Sequence, residues 1–465
     1  MTSSFGKIYL GNTLVAGGQS STAAAGWVRP AAWPAIPTVL ASEQKIVGLY
    51  AVWPGDGVGN GGNFFGFLGQ GAYTIDFGDG TVNNYGSNTQ ANYEFNFNNA
   101  ALADTNRPVT FTASTSTVNR TAHGLSAGAE IQFYNIATTT GINESQSYYV
   151  INPTANSFQV AATAGGTAVT LTNNGSATLL PYKVAIVTIT PQAGQNLTVV
   201  NLQVKNPQTG LQAYSTGWLD LAISVPNVTS IFAFGGTTVA HRLVERINLV
   251  AYGALTSMAN MFNGCFSLQN IPPFPGSIAA VTSMASMFQN CSSLQSIPAF
   301  PGSAAAVTSM ASMFQNCSSL QSIPAFPGSA AAVANTSNMF NGCTSLQSIP
   351  PFPGSIAAVT NMNSMFNGCV SLQSIPALNM SGATSVANAG NMFNACPFLA
   401  RAPVTGMRFS FSVASCKLSA AALNEIFAGL PTVTGQTITV TGNYGINQAG
   451  YDPTIATAKG WTVTA

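Results

Sequence analysis

A 26-residue ruler runs through the second half of the chain and limits its fold more than any other feature. Residues 287–307, MFQNCSSLQSIPAFPGSAAAV, return unchanged at 313–333. Phe recurs at Phe262, Phe288, Phe314, Phe340 and Phe366, then one residue late at Phe393. Cys265, Cys291, Cys317, Cys343, Cys369 and Cys396 keep the same spacing, as do Leu268, Leu294, Leu320, Leu346, Leu372 and Leu399. A unit this short cannot bury an apolar face alone, but a stack of such units can. The pattern therefore predicts six stacked coils with the Phe, Cys and Leu positions as continuous core ladders. With strands spaced ~4.8 Å apart, the array would form a rod section roughly 25–30 Å long.

Within one unit, Val281, Met284, Phe288 and Cys291 are spaced as one stripe of a helix. Leu294 and Ile297 then anchor a short extended piece that Pro298 ends, and Pro301-Gly302-Ser303 reads as a turn. Gln295-Ser296, Gln321-Ser322, Gln347-Ser348 and Gln373-Ser374, with Gln269-Asn270 before them, fall between the anchors and should face outward. They would either hydrogen-bond one another along the ladder or contact a host glycan. Phe274, Phe300, Phe326 and Phe352 form a second aromatic row, either buried against the next coil or exposed to stack on sugars. Met258, Met284 and Met310 read as core filler.

The MF..C.SL..IP pattern resembles the BspA-like leucine-rich repeat over about residues 255–403. That resemblance implies an α/β leucine-rich-repeat solenoid with a parallel strand face, found in microbial and viral surface proteins that are often adhesive. Caps are expected on both sides, at 207–254 and 404–465. In the second, Ser419 should cap a helix bearing Leu423, Ile426, Phe427 and Leu430. A strand at Thr437–Thr441, a helix start at Asp452-Pro453 and a closing strand at Trp461 should follow.

Residues 33–206 read as all-β. Thr74-Ile75-Asp76-Phe77-Gly78-Asp79-Gly80-Thr81 resembles the DFGDGT mark of a PKD-like immunoglobulin sandwich, split here into 33–107 and 181–206. Tyr93, Phe95 and Phe97 alternate, as do Val184, Ile186 and Thr188. The intervening 108–180 carries TAHGLSAGAEIQF and YYVINPTANSFQVAATAGGTAV, which resemble a small β module of phage tail and baseplate proteins. Residues 1–32 resemble an N-terminal virion-attachment arm.

Charged residues make up 5% of the chain, against ~25% in ordinary proteins, while apolar residues reach 46%. Between Ala251 and Ala400 there is no Asp, Glu, Lys, Arg or His. General acid–base chemistry needs such a group, and glycoside hydrolysis needs two carboxylates, so the array is not expected to be an enzyme. A net charge of +1 with scattered cations argues against nucleic acid. No apolar run is long enough for a membrane helix, and the first residues do not read as a secretory signal. No cofactor or metal site is expected: the Cys ladder lacks C-x-x-C spacing, and Asp76 with Asp79 is too poor in carboxylates for calcium. His123 reads as part of a turn, while His241, Arg242 and Arg246 could form a basic spot.

Together these resemblances imply a tailed-phage fibre or adhesion subunit, made in the host cytoplasm and carried on the virion exterior. It would dock on other virion proteins through its arm, present the repeats to a host glycan or protein, and assemble as a homo-oligomer. A head-decorating protein, a BspA-like bacterial adhesin and a depolymerase are the competing readings.

Overall fold

The computed structural model describes residues 29 and 33–465, apart from 53–62, 98, 105–106, 122–124, 126, 128–129, 139–140, 145, 147, 164, 181, 203, 205, 208–216, 229, 233–242, 270, 327–330, 353–355, 357 and 386–387. The expected arm at 1–32 falls outside these residues except for Arg29, as do His123, His241 and Arg242.

The first half is all-β. One sheet runs in the order Arg246–Tyr252, Trp218–Val225, Lys45–Val52, Lys183–Pro191, Tyr73–Asp76 and Val82–Tyr85, with Ala103–Asp104 also beside Lys183–Pro191. A second runs Ser230–Phe232, Val199–Asn201, Phe64–Gln70 and Gln90–Glu94. Aromatic side chains join the two. Phe65 meets Tyr50 at 5.4 Å, Phe77 at 5.5 Å and Trp218 at 5.6 Å between ring centroids, all edge to face. In Lys183–Pro191 the buried set facing this core is Ala185, Val187 and Ile189. The alternation of Val184, Ile186 and Thr188 marks the opposite face, where Val184 packs with Trp33, Leu49 and Tyr182.

Residues 107–180 form a closed six-stranded barrel with its own core, which includes Phe111, Phe133, Phe158 and Leu179. Asp104 just before it and Lys183 just after it are direct partners in the large sheet. The chain therefore leaves for the barrel and returns at one spot.

The solenoid grows out of the large sheet without a break. Trp218–Val225 pairs antiparallel with Lys45–Val52 on one side and parallel with Arg246–Tyr252 on the other. One apolar cluster then continues from Tyr50 and Trp218 through every coil to Trp461. A column of parallel partners links Ser257, Ser283, Ser309, Asn335, Asn361 and Asn388. It continues from Ala389 to Phe411, Ile438 and Val463, so there are about eight turns and a length of roughly 38 Å at ~4.8 Å per turn. The expected C-terminal elements are part of this stack. Ser419 caps the helix Ala420–Gly429 by accepting from the Ala422 amide at 3.2 Å, and Trp461–Thr464 closes the last parallel pair. Lys459 supplies the helix's other end, its Nζ donating to the Phe427 and Ala428 carbonyls at 3.1 and 2.7 Å.

The α/β expectation for the repeats is corrected. Met284–Cys291 is a chain of turns, not a helix. Ser286 and Asn290 sit at φ 55° and 62°, in the left-handed region, and the same two positions are left-handed in every coil from Asn260 and Gly264 to Asn391 and Ala395. These kinks sort the amides. Those of Met284, Ser286, Phe288 and Asn290 donate to Ser309, Ala311, Met313 and Gln315 of the next coil. Those of Met287, Gln289 and Cys291 donate three residues back, to Met284, Ser286 and Phe288. The 3- and 4-residue spacing of the apolar side chains is kept, because three-residue turns put them on one side as a helix would.

Phe262, Phe288, Phe314, Phe340, Phe366 and Phe393 stack face to face, with centroids 5.2–5.6 Å apart and planes within 10°. Replacing Phe314 by Ala should cost about 3–5 kcal/mol in denaturant unfolding. Gly368, at φ 73°, could carry a Cβ in ordinary van der Waals contact, the nearest atoms being 3.8 Å away. Gly368→Ala should therefore cost only the left-handed strain, about 1–2 kcal/mol, and Gly368→Asn less.

Candidate functional site

Each coil presents to solvent only what its turns leave outside. Gln295, Ser296, Gln321, Ser322, Gln347, Ser348, Gln373 and Ser374 are all exposed. Their backbones form a ladder: Gln321 donates to Gln295 O at 3.1 Å, Gln347 to Gln321 O at 3.3 Å, and Gln373 to Gln347 O at 3.3 Å. Their side chains have no protein partner among the described residues. Amides elsewhere on the same coils behave differently. Asn263 Nδ2 donates to Gln289 Oε1 at 3.1 Å, Gln289 Nε2 to Gln315 Oε1 at 2.7 Å, and Asn316 Nδ2 to Asn290 Oδ1 at 2.9 Å. Of the two fates the sequence allowed for a stacked amide row, the Gln295 row shows the open one and the Gln289 row the self-satisfied one.

The row has charged ends. Glu245 O accepts the Gln269 amide at 3.0 Å, one coil before the array. At the other end Ser374 pairs with Arg401 and Ala400 donates to Gln373 O at 2.9 Å. Arg401 makes a two-pronged pair with Glu425, at 3.1 and 2.7 Å, which pulls the Glu425 carboxyl below its usual range. Both partners are well exposed, so the pair is worth little in stability. Phe398, three residues before Arg401, is 56% exposed, with Lys417 Nζ 5.9 Å from its ring centre. Sequence reasoning missed this terminus; Phe398, at a position where every earlier repeat carries Ser, was the available signal.

The remaining candidates lie inside. Phe274, Phe300 and Phe326 are buried and Phe352 is half-buried, all four stacked in one column, so the first three offer no platform for sugars. Met258, Met284 and Met310 are buried too. Phe288, Phe314, Phe340, Phe366, Cys291, Cys317, Cys343, Cys369, Leu294, Leu320, Leu346 and Leu372 are fully buried. Every cysteine is a free thiol. Each thiol from Cys291 to Cys396 donates to the carbonyl of the Phe one coil earlier, at 2.9–3.1 Å. Burial first, then the neighbouring sulfur, pushes the Cys291, Cys317, Cys343 and Cys369 thiols well above their ordinary range.

In the sandwich, Asp76 and Asp79 hold the glycine turn by accepting from the Gly78 and Thr81 amides at 2.9 and 3.1 Å. Asp79 also accepts from the Tyr93 hydroxyl, and burial together with this bond raises Tyr93 to about 12. Of the expected basic spot, His241 and Arg242 lie outside the described residues, and Arg246 Nε binds Asp220 Oδ1 at 2.9 Å. Asp220 is fully buried, and Arg29 Nε holds its other oxygen at 2.8 Å. This clamp ties the first described residue to the first two solenoid strands. It was legible in principle, because a lone Asp inside the buried strand WLDLAISV requires a charged partner.

A family model described as Mycoplasma protein of unknown function, DUF285, matches residues 232–352 and 310–406, which cover the repeat array and the stretch just before it. No curated protein matches the chain.

The thiol ladder sets an alkaline limit. These four cysteines stay protonated when folded and ionise near pH 9 when unfolded, so their contribution is complete below pH 9 and is lost as pH rises above it. Unfolding free energy should fall by about 5 kcal/mol per pH unit there, and a variant with all four as Ala should lose that slope.

Proposed function

We propose that this chain is a non-enzymatic, surface-presented binding rod: a tail-fibre or adhesion subunit of a tailed phage, held at its N-terminus and turning the Gln–Ser face of the array towards the host. The observation that carries this reading is the row of unpartnered amides and hydroxyls on a 150-residue stretch with no group that exchanges protons at the surface. Neutral hydrogen-bonding surfaces suit glycans and polar protein surfaces and offer little to polyanions.

The phage setting is supported by the resemblance of residues 108–180 to a tail and baseplate module, and that segment folds as a barrel with its own core. The PKD-like and BspA-like resemblances on either side of it fit a spacer and a host-facing array. The Arg29–Asp220–Arg246 clamp would transmit load from an attached N-terminus to the base of the solenoid. A bacterial surface adhesin is the second reading, favoured by the match of the repeats to the Mycoplasma family.

Fluorescent protein carrying Gln295→Ala, Gln321→Ala, Gln347→Ala and Gln373→Ala should melt like the parent and bind host cells at least tenfold more weakly. Parent binding should be nearly unchanged as salt is raised. Equal binding by parent and variant would overturn the reading. Antibody labelling of intact phage particles separates the settings: label on tails supports the fibre, and particles that remain unlabelled overturn the virion assignment.

A further inference from the structure

The open row has a direction and a step as well as a chemistry. Resting on its reading as a binding surface, we propose that its ligand is an extended, uncharged polysaccharide lying along the solenoid axis, about one sugar ring per coil, with Phe398 as a stacking platform at the C-terminal end of the row.

The step comes from the stack itself. Gln321, Gln347 and Gln373 each donate a backbone hydrogen bond to the Gln one coil earlier, so the row advances by ~4.8 Å per coil. A hexose polymer linked through equatorial oxygens, as in β-1,4 chains, is stretched and advances by nearly the same step per ring. Each ring would meet one amide and one hydroxyl. Both groups donate and accept, so they serve sugar hydroxyls whichever way alternate rings turn. A coiled polymer, such as an α-1,4 chain, falls out of step within a few coils.

Charge narrows the class. No cation lies along the row, and the Arg401 guanidinium at its end is held by Glu425. Along the Gln–Ser row itself an acidic polysaccharide would meet no cation, Lys417 lying only at the Phe398 end. The satisfied amides of Asn263, Gln289 and Gln315 also single out this face, because those polar groups already have protein partners. Phe398 sits two residues before Ala400, whose amide takes the Gln373 carbonyl, so the exposed ring lies on the coil that ends the row. Lys417 steadies the ring from one side.

Calorimetric titration of the full chain with β-1,4-linked glucose and N-acetylglucosamine oligomers, from disaccharide to hexasaccharide, tests this. Affinity should rise with each added ring, and α-1,4-linked glucose oligomers of equal length should bind at least tenfold more weakly. Gln321→Ala combined with Gln347→Ala should weaken the hexasaccharide about tenfold, and Phe398→Ala should weaken it by a similar factor, both without a change in melting. Length-independent affinity, or no affinity for any β-linked oligomer, overturns the proposal. If no oligomer binds but the glutamine variant still loses attachment to host cells, the polysaccharide is wrong and the binding surface stands. If the variant also keeps its attachment, both fall.

Discussion

A solenoid coil has to divide its backbone amides between its own turns and the coil above, and in this chain that division rests on two left-handed residues per coil. A helix would keep every amide for itself, and neighbouring coils would then touch only through side chains. A strand would give amides to its neighbours but could not turn a corner every few residues. The alternation seen from Met284 to Cys291 does both, with one amide inward and the next onward. L-residues resist the left-handed region by roughly 1–2 kcal/mol each, and Gly, Asn and short polar residues resist it least. The Asn, Ser and Gly at positions 260, 264, 286, 290, 312, 316, 338, 342, 364 and 368 are therefore the residues that permit stacking.

Once coils stack this way, the Phe carbonyl becomes the critical acceptor. Phe288 O takes the Cys291 amide at 3.1 Å from its own coil and the Cys317 thiol at 2.9 Å from the next. Both lone pairs are used in a place water does not reach. A small apolar residue would fill the space but leave half of that carbonyl unsatisfied. Cysteine fills it and donates, which explains why the column is cysteine although its thiols are free. The Phe rings then lie flat on one another because the backbone beneath them repeats.

Much of this was legible in the sequence, and the failures have a common cause. Period, core ladders, the outward Gln–Ser row, the Ser419 cap and the closing strand follow from spacing and residue type. The helix did not, because the spacing of Val281, Met284, Phe288 and Cys291 is shared by helices and by successive three-residue turns. What separates the two is the Ser and Asn at 286 and 290, polar residues that read as surface filler until their φ angles are known. Which face of Lys183–Pro191 meets the core was not legible for a related reason: apolar side chains on both sides of that strand are packed, so alternation carries little information. The Arg29–Asp220–Arg246 clamp joins residues 191 apart along the chain, a distance that no local pattern bridges.

Near-identity of the repeats also dictates the character of the outer face. Any charged residue placed in the repeat would sit above a copy of itself every ~4.8 Å, at a mutual repulsion of about 1–3 kcal/mol per step depending on exposure. Neutral amides and hydroxyls escape that penalty and can be copied without limit. Charge returns only where repetition stops, at Glu245 and Arg246 on one end and Arg401, Lys417 and Glu425 on the other. The same constraint leaves side chains that cannot exchange protons but can donate and accept hydrogen bonds at regular intervals. On the proposed reading, such a surface would match a ligand that is itself periodic, because the row's chemistry follows from how the rod is built.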